Sequence, residues 1–141
     1  MATIRYQGVG IKAISACVPS NVMYNTDLTD LISQDEIIKT IENIGIKERR
    51  YAAPDVCASD LCQKAAEQLI EDNQIDKASI DALIFVSQTS DYHQPATSPL
   101  LQHKLRLPTS TLCFDVNLAC SGFVYGAVIS FSAGVSSSFA F

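Results

Sequence analysis

The sequence predicts an α/β fold, a mostly parallel sheet layered with helices. Three observations predict it. Short strand-like runs alternate with amphipathic, helix-like stretches along the chain. Ile80 to Val86 is a short run, apolar except for Asp81, of the kind found in strands buried on both faces. Asp115 to Phe123 runs from a strand into a turn of small residues and then into an apolar helix. In such sheets reactive side chains collect at the strand C-termini. Cys120 is placed there, and so is the loop after Val86 with Asp91 and His93.

The elements follow in order. Tyr6 to Val18 reads as a strand closed by Pro19. Asn25 reads as the cap of a short helix through Asp27, Leu28, Leu31 and Ile32. Ser33-Gln34-Asp35-Glu36 is a capping-box pattern that opens a second helix, with Ile37, Ile38, Ile41 and Ile44 on one face and Gly45 as its stop. Ile46 to Tyr51 is short, basic and extended, and Pro54-Asp55 marks a loop. Ser59 caps or lies within a helix carrying Leu61, Ala65, Leu69 and Ile70. Lys77 to Ser79 links it to the Ile80–Val86 strand. Ser87 to Ser98 is a polar loop with Pro95, and Pro99 suits the first turn of a helix with Leu100, Leu101 and Leu105. Thr109 to Val116 is the strand leading to Cys120. There is no internal repeat and no interdomain linker, so 1–141 reads as one domain.

Composition narrows the function classes. With 48% hydrophobic and 18% charged residues the chain is globular, and its net charge of −5 argues against nucleic acid as a partner. Met1 to Gly10 has no apolar core of a secretory signal. Cys17, Cys57, Cys62, Cys113 and Cys120 are irregularly spaced and complete no zinc set, which suits free thiols in a reducing cytoplasm and no metal. Leu118 to Phe141 carries no charge, yet its glycines and serines favour a closely packed helix over a membrane span. Gly122 and Gly126 also match a weak small-xxx-small association pattern.

Cys120 is the candidate catalytic residue. A thiol at a helix start meets unpaired N–H groups and the positive end of the helix dipole, and both favour the thiolate that attacks carbonyls and thioesters. The competing reading is a core cysteine, which is the reading given to Cys17, Cys62 and Cys113. A hydrolase using Cys120 with His93 needs the two within hydrogen-bond reach. Asp115 is read as fixing the turn through backbone hydrogen bonds. Lys47, Arg49 and Arg50 form either a contact for phosphates or an acidic protein, or a solvated basic edge.

Four segments together resemble the N-terminal half of β-ketoacyl-acyl carrier protein synthase III, of the thiolase-like superfamily. They are Gly8-Val9-Gly10 with Val18-Pro19, Gly45 to Pro54, Ala82 to Thr89, and Phe114 to Phe123. The resemblance implies that Cys120 forms an acyl-thioester from acyl-CoA or acyl-carrier protein. A decarboxylated malonyl-carrier protein then attacks it in fatty-acid or related lipid or polyketide synthesis, with the Cys120 N–H as an oxyanion-hole donor. It also implies a cytoplasmic homodimer in full-length form, acyl carrier protein as partner, no membrane and no tightly bound cofactor. The family's catalytic His and Asn lie in the second half, and neither His93 nor His103 matches them. On this reading the fold is a thiolase-like half, incomplete at the C-terminus, with no second domain. The chain alone is then expected to lack condensation activity. A non-catalytic remnant, or a half that binds acyl groups or carrier protein, is the alternative.

The chain departs from the family pattern in two further places. Many members carry a Trp after an Asp-Glu pair, and an Arg before the Gly-Ile motif, that clamp the CoA adenine. Here Ile37 follows Asp35-Glu36, there is no Trp, and the segment to Gly45 is longer. Cofactor-binding residues are therefore left unassigned. Pro95 stands near the place of an aromatic that closes a partner's acyl pocket, so chain-length preference is not carried over. The tail Ser136 to Phe141 ends without charge or cap, as in a truncated product.

Overall fold

A computed structural model describes residues 3–132 and the backbone of 137–140. The chain forms two compact units, one from residues 1–17 with 57–141 and one from residues 18–56.

In the larger unit, β1 (Ile11–Ser15) pairs in parallel with β6 (Ser137–Ala140). β4 (Ala82–Val86) pairs in parallel with β5 (Leu112–Val116), with Phe85 opposite Asp115 and Val86 opposite Val116. Three helices accompany them: α2 (Ala58–Asp72), α3 (Thr97–Leu105) and α4 (Gly122–Ser132). The core gathers Ala65 and Leu69 of α2, Leu101 and Leu105 of α3, Phe85, Leu107 and Val116. Helix α2 packs on α3 and on the β1–β6 pair, and α3 packs on β4 and β5. The parallel pairing and the alternation of strand and helix are the α/β pattern the sequence predicts.

In the smaller unit, β2 (Asn21–Tyr24) runs antiparallel to β3 (Glu48–Tyr51), and α1 (Gln34–Ile44) lies between them in sequence. The expected capping box is present. The Glu36 carboxylate accepts from the Ser33 N–H at 3.2 Å and from its hydroxyl at 2.7 Å. Gly45 ends α1 at φ 80, a left-handed position that favours glycine. Of the isoleucine face only Ile37 is fully buried, while Ile38 and Ile44 are exposed.

Four local expectations are revised. The first strand covers Ile11–Ser15 rather than Tyr6 to Val18, and upstream of it Gly8 turns the backbone at φ 74. Asn25 caps no helix. It sits in a 3-10 turn, Asn25–Asp27, and braces β3: its amide donates to the Ile46 carbonyl and its carbonyl oxygen accepts from Arg49 Nε, both at 2.7 Å. β5 begins at Leu112 because a turn closed by the Thr111 N–H on the Pro108 carbonyl, at 3.0 Å, precedes it. Helix α4 is buried along its glycines alone, while Phe123, Val124, Tyr125 and Ile129 are exposed. No helix among the described residues is long and apolar enough to cross a membrane. The tail expectation concerns Ser136 and Phe141, which lie outside the described residues; between them, the backbone of 137–140 forms β6.

Candidate active site

Strand β5 delivers Cys120. After Val116 the chain enters a 3-10 turn, Ala119–Ser121, that feeds directly into α4. The Ser121 hydroxyl donates to the Leu118 carbonyl at 2.8 Å and tightens the turn. Ala119, just before the cysteine, has φ 46. For a residue with a Cβ that left-handed backbone costs about 1 kcal/mol or more, and such strain collects at functional turns. Cys120 is exposed on this turn. Its N–H is among the groups that a helix start leaves without intrahelical partners.

Two contacts fix α4 behind the thiol. Gly122 and Gly126 lie one turn apart against the Val86 side chain. A methyl on Gly122 would stand 2.6 Å from one Val86 γ-carbon, and a methyl on Gly126 3.1 Å from the other. At its far end, the Ser132 hydroxyl shares a 2.7 Å hydrogen bond with the Tyr6 hydroxyl, and the Tyr6 ring lies 6.0 Å from that of Phe131.

The other helix starts of this unit are closed by carboxylates. Asp115 accepts from the Thr97 N–H at 2.7 Å and the Ser98 N–H at 2.9 Å, at the start of α3. It therefore ties β5 to α3 and does not fix its own turn, which corrects the sequence expectation. Asp91 accepts from the Ser59 N–H at 3.2 Å and from the Ser59 hydroxyl, at the start of α2. Ser59 lies inside that helix, whose N-cap is Cys57. The Cys57 N–H is held by the Asp60 carboxylate at 3.0 Å. By contrast, α4 has no acidic residue in its first turn.

The remaining thiols differ in kind. Cys62 and Cys113 are partly buried, and burial pushes both thiols up from their ordinary value, with Asp91 and Cys17 adding to the shift at Cys62 and Asp115 at Cys113. They are correspondingly poor nucleophiles. Cys57 is exposed like Cys120 and also stands at a helix start. Cysteine is not among the residue types that signal an N-cap, so sequence reasoning misses Cys57 although Asp60 stands at the capping-box spacing. His93 is exposed, and among the described residues no hydrogen bond joins it to Cys120. Arg49 and Arg50 belong to the smaller unit. There Arg49 is braced by Asn25, and Arg50 reaches the Pro19 and Ser20 carbonyls at 3.4 Å each. Ile37, which follows Asp35-Glu36 at the start of α1, is only 2% exposed.

The chain is 39% identical over 127 residues to β-ketoacyl-[acyl-carrier-protein] synthase III of Fusobacterium nucleatum, covering 89% of this chain and 38% of the relative. It is 43% identical over 110 residues to the synthase of the same name from Alkalilimnicola ehrlichii, covering 77% and 33%. Over the part it covers, the chain is similar to β-ketoacyl-acyl carrier protein synthases III. Its fold is thiolase-like in part. It superposes on the crystal structure of a 3-oxoacyl-(acyl-carrier protein) synthase from Burkholderia xenovorans with a TM-score of 0.86 at 39% identity, over 92% of this chain and 37% of that one. The chain thus spans little more than a third of the length of these family members. No family model matches it.

Proposed function

We propose that this chain carries the acylation centre of a β-ketoacyl-acyl carrier protein synthase III, with Cys120 as nucleophile. The observation that carries the reading is the exposed Cys120 thiol on a strained turn between β5 and α4, in a chain similar to these synthases. The Cys120 sulfur, as thiolate, attacks the carbonyl carbon of an acyl thioester. The tetrahedral oxyanion is held by N–H groups at the turn, the Cys120 N–H among them. Collapse expels the donor thiolate, which takes up a proton, and leaves acyl-S-Cys120. In the second half-reaction, decarboxylation of a malonyl-carrier thioester generates a carbanion. The carbanion attacks the acyl-enzyme, releasing the β-ketoacyl product and the Cys120 thiolate. The resemblance implies a His and an Asn that assist decarboxylation, and neither His93 nor His103 matches that His, so the proposal assigns these 141 residues the acylation step, for which Cys120 and its turn are required.

The buried Ile37 in place of an adenine-stacking Trp favours a carrier-protein thioester over acyl-CoA as donor. The exposed apolar residues of α4, Phe123, Val124, Tyr125 and Ile129, support assembly with further protein surface, as in a homodimer. The cytoplasm, where such thioesters are made, is the proposed location.

The test is release of donor thiol from acyl-CoA and from acyl-carrier protein, followed colorimetrically. About one equivalent per chain is expected from the parent protein, and none above background from Cys120→Ala. Equal release by both proteins would refute the reading. Binding of acyl-carrier protein without release would favour the non-catalytic binding half.

A further inference from the structure

The glycine pair in α4 and the last residue of β4 form a lock that the chemistry of the thiol does not by itself require. We propose that Val86 is a positioning residue for Cys120: its two γ-methyls occupy the notch made by Gly122 and Gly126 and set where the first turn of α4 stands.

Each part of the lock is fixed independently. Val86 ends β4 and faces Val116 of β5 across a parallel pair. The next N–H, that of Ser87, donates to the Val116 carbonyl at 3.2 Å, so the strand end is held in register up to this residue. Both glycines are buried although α4 is otherwise exposed on several faces. The spaces where their β-carbons would lie are 2.6 and 3.1 Å from opposite γ-carbons of one side chain. The first separation is closer than side chains tolerate, so a methyl at residue 122 forces a shift of the branched Val86 side chain or of the helix turn against it. Cys120 is two residues before Gly122, on the turn that moves with it. The small-xxx-small pattern is therefore filled within the chain and is not free to pair two helices.

The assignment takes its purpose from the acyl-transfer reading, but it is measured without an acyl donor. The readout is iodoacetamide labelling of each cysteine in the 141-residue chain, resolved by peptide mass. Gly122 has right-handed helical backbone angles, φ −55 and ψ −39, which alanine adopts without strain, so a defect in Gly122→Ala does not come from the backbone conformation. For that variant, Cys120 labelling is expected to fall by about tenfold as the turn is misplaced, with Cys62 and Cys113 labelled as slowly as in the parent. Val86→Ala alone, which removes the stop, is expected to lower it a few-fold. In the double variant Val86→Ala/Gly122→Ala, the new methyl takes the vacated space, and labelling should return to within about threefold of the parent.

Unchanged Cys120 labelling in Gly122→Ala, or a double variant as slow as Gly122→Ala, would overturn the proposal. A rise at Cys62 and Cys113 together with the loss at Cys120 would also overturn it, because that is loosening of the whole unit. If Gly122→Ala does not fold, a folded double variant sustains the lock, and an insoluble double variant beside a soluble Val86→Ala refutes it. Parent Cys120 that labels normally but releases no donor thiol would break the functional reading and leave the lock intact.

Discussion

Cys57 and Cys120 are the two exposed thiols, and each stands at the start of a helix. Their surroundings differ in where carboxylates stand. At Cys57 the Asp60 carboxylate holds the backbone N–H, and Asp91 sits on Ser59 two residues on. Negative charge arriving there meets two carboxylates. At Cys120 the first turn of α4 carries none. On the proposed role of Cys120, a helix start does not make a nucleophile by itself. What matters is whether the fold has already used its N–H groups on carboxylates, as Asp91 and Asp115 do for α2 and α3.

Removing those carboxylates should break the contrast, and the largest effect is expected at Asp115. Asp115→Ala leaves the Thr97 and Ser98 N–H groups without their partner in a buried setting. Two charge-assisted bonds at a helix N-terminus are worth about 3 kcal/mol together, to be read as a shift in urea midpoint at constant m-value. Asp91→Ala should cost about 2 kcal/mol, because the fully buried Ser59 loses partners for both its N–H and its hydroxyl. The same change should speed iodoacetamide labelling of Cys57 while leaving Cys120 unaltered, which would narrow the difference between the two thiols.

Two smaller changes sharpen the account. The hydroxyls of Thr97 and Ser98 are buried and have no hydrogen-bond partner among the described residues. Ser98→Ala should therefore be neutral or stabilising by about 1 kcal/mol, since a polar group without a partner is removed from the interior. The Lys104–Asp60 ion pair, at 2.9 Å, is partly exposed and should contribute only about 0.2–1 kcal/mol. Its pH dependence has a definite sign. Lys104 first, then the Cys57 N–H, hold the Asp60 carboxyl below its ordinary 3.8, so its contribution is present above that value and fades as pH falls through the lowered one. Asp60 in turn raises Lys104 above 10.5, so that contribution is complete below 10.5 and is lost as pH rises through the raised value. Lys104→Met should flatten both limbs of the stability profile.

Local signals made several elements legible in the sequence. The Ser33–Glu36 capping box and Gly45 define α1, and the small-residue turn after β5 places Cys120 at a helix start. What escaped depends on contacts between residues far apart in the chain. Asn21–Tyr24 became a strand because β3 pairs with it and Asn25 braces Ile46 and Arg49. Asp115 found its partners 17 and 18 residues away, on α3. Nothing near Val86 announces that two glycines of α4 will close around it. At Cys57 a capping box forms with Asp60 three residues on, but cysteine is not one of the residue types that signal a cap in a sequence, and the contact of Asp91 with Ser59 spans 32 residues.

The most direct measurement is a single incubation of the chain with an acyl-carrier thioester, followed by peptide mapping of all five cysteines. The account requires the acyl group on Cys120 and not on Cys57, which shares its exposure and its place at a helix start. Acylation of Cys57 at the same rate, or of neither thiol, would contradict it.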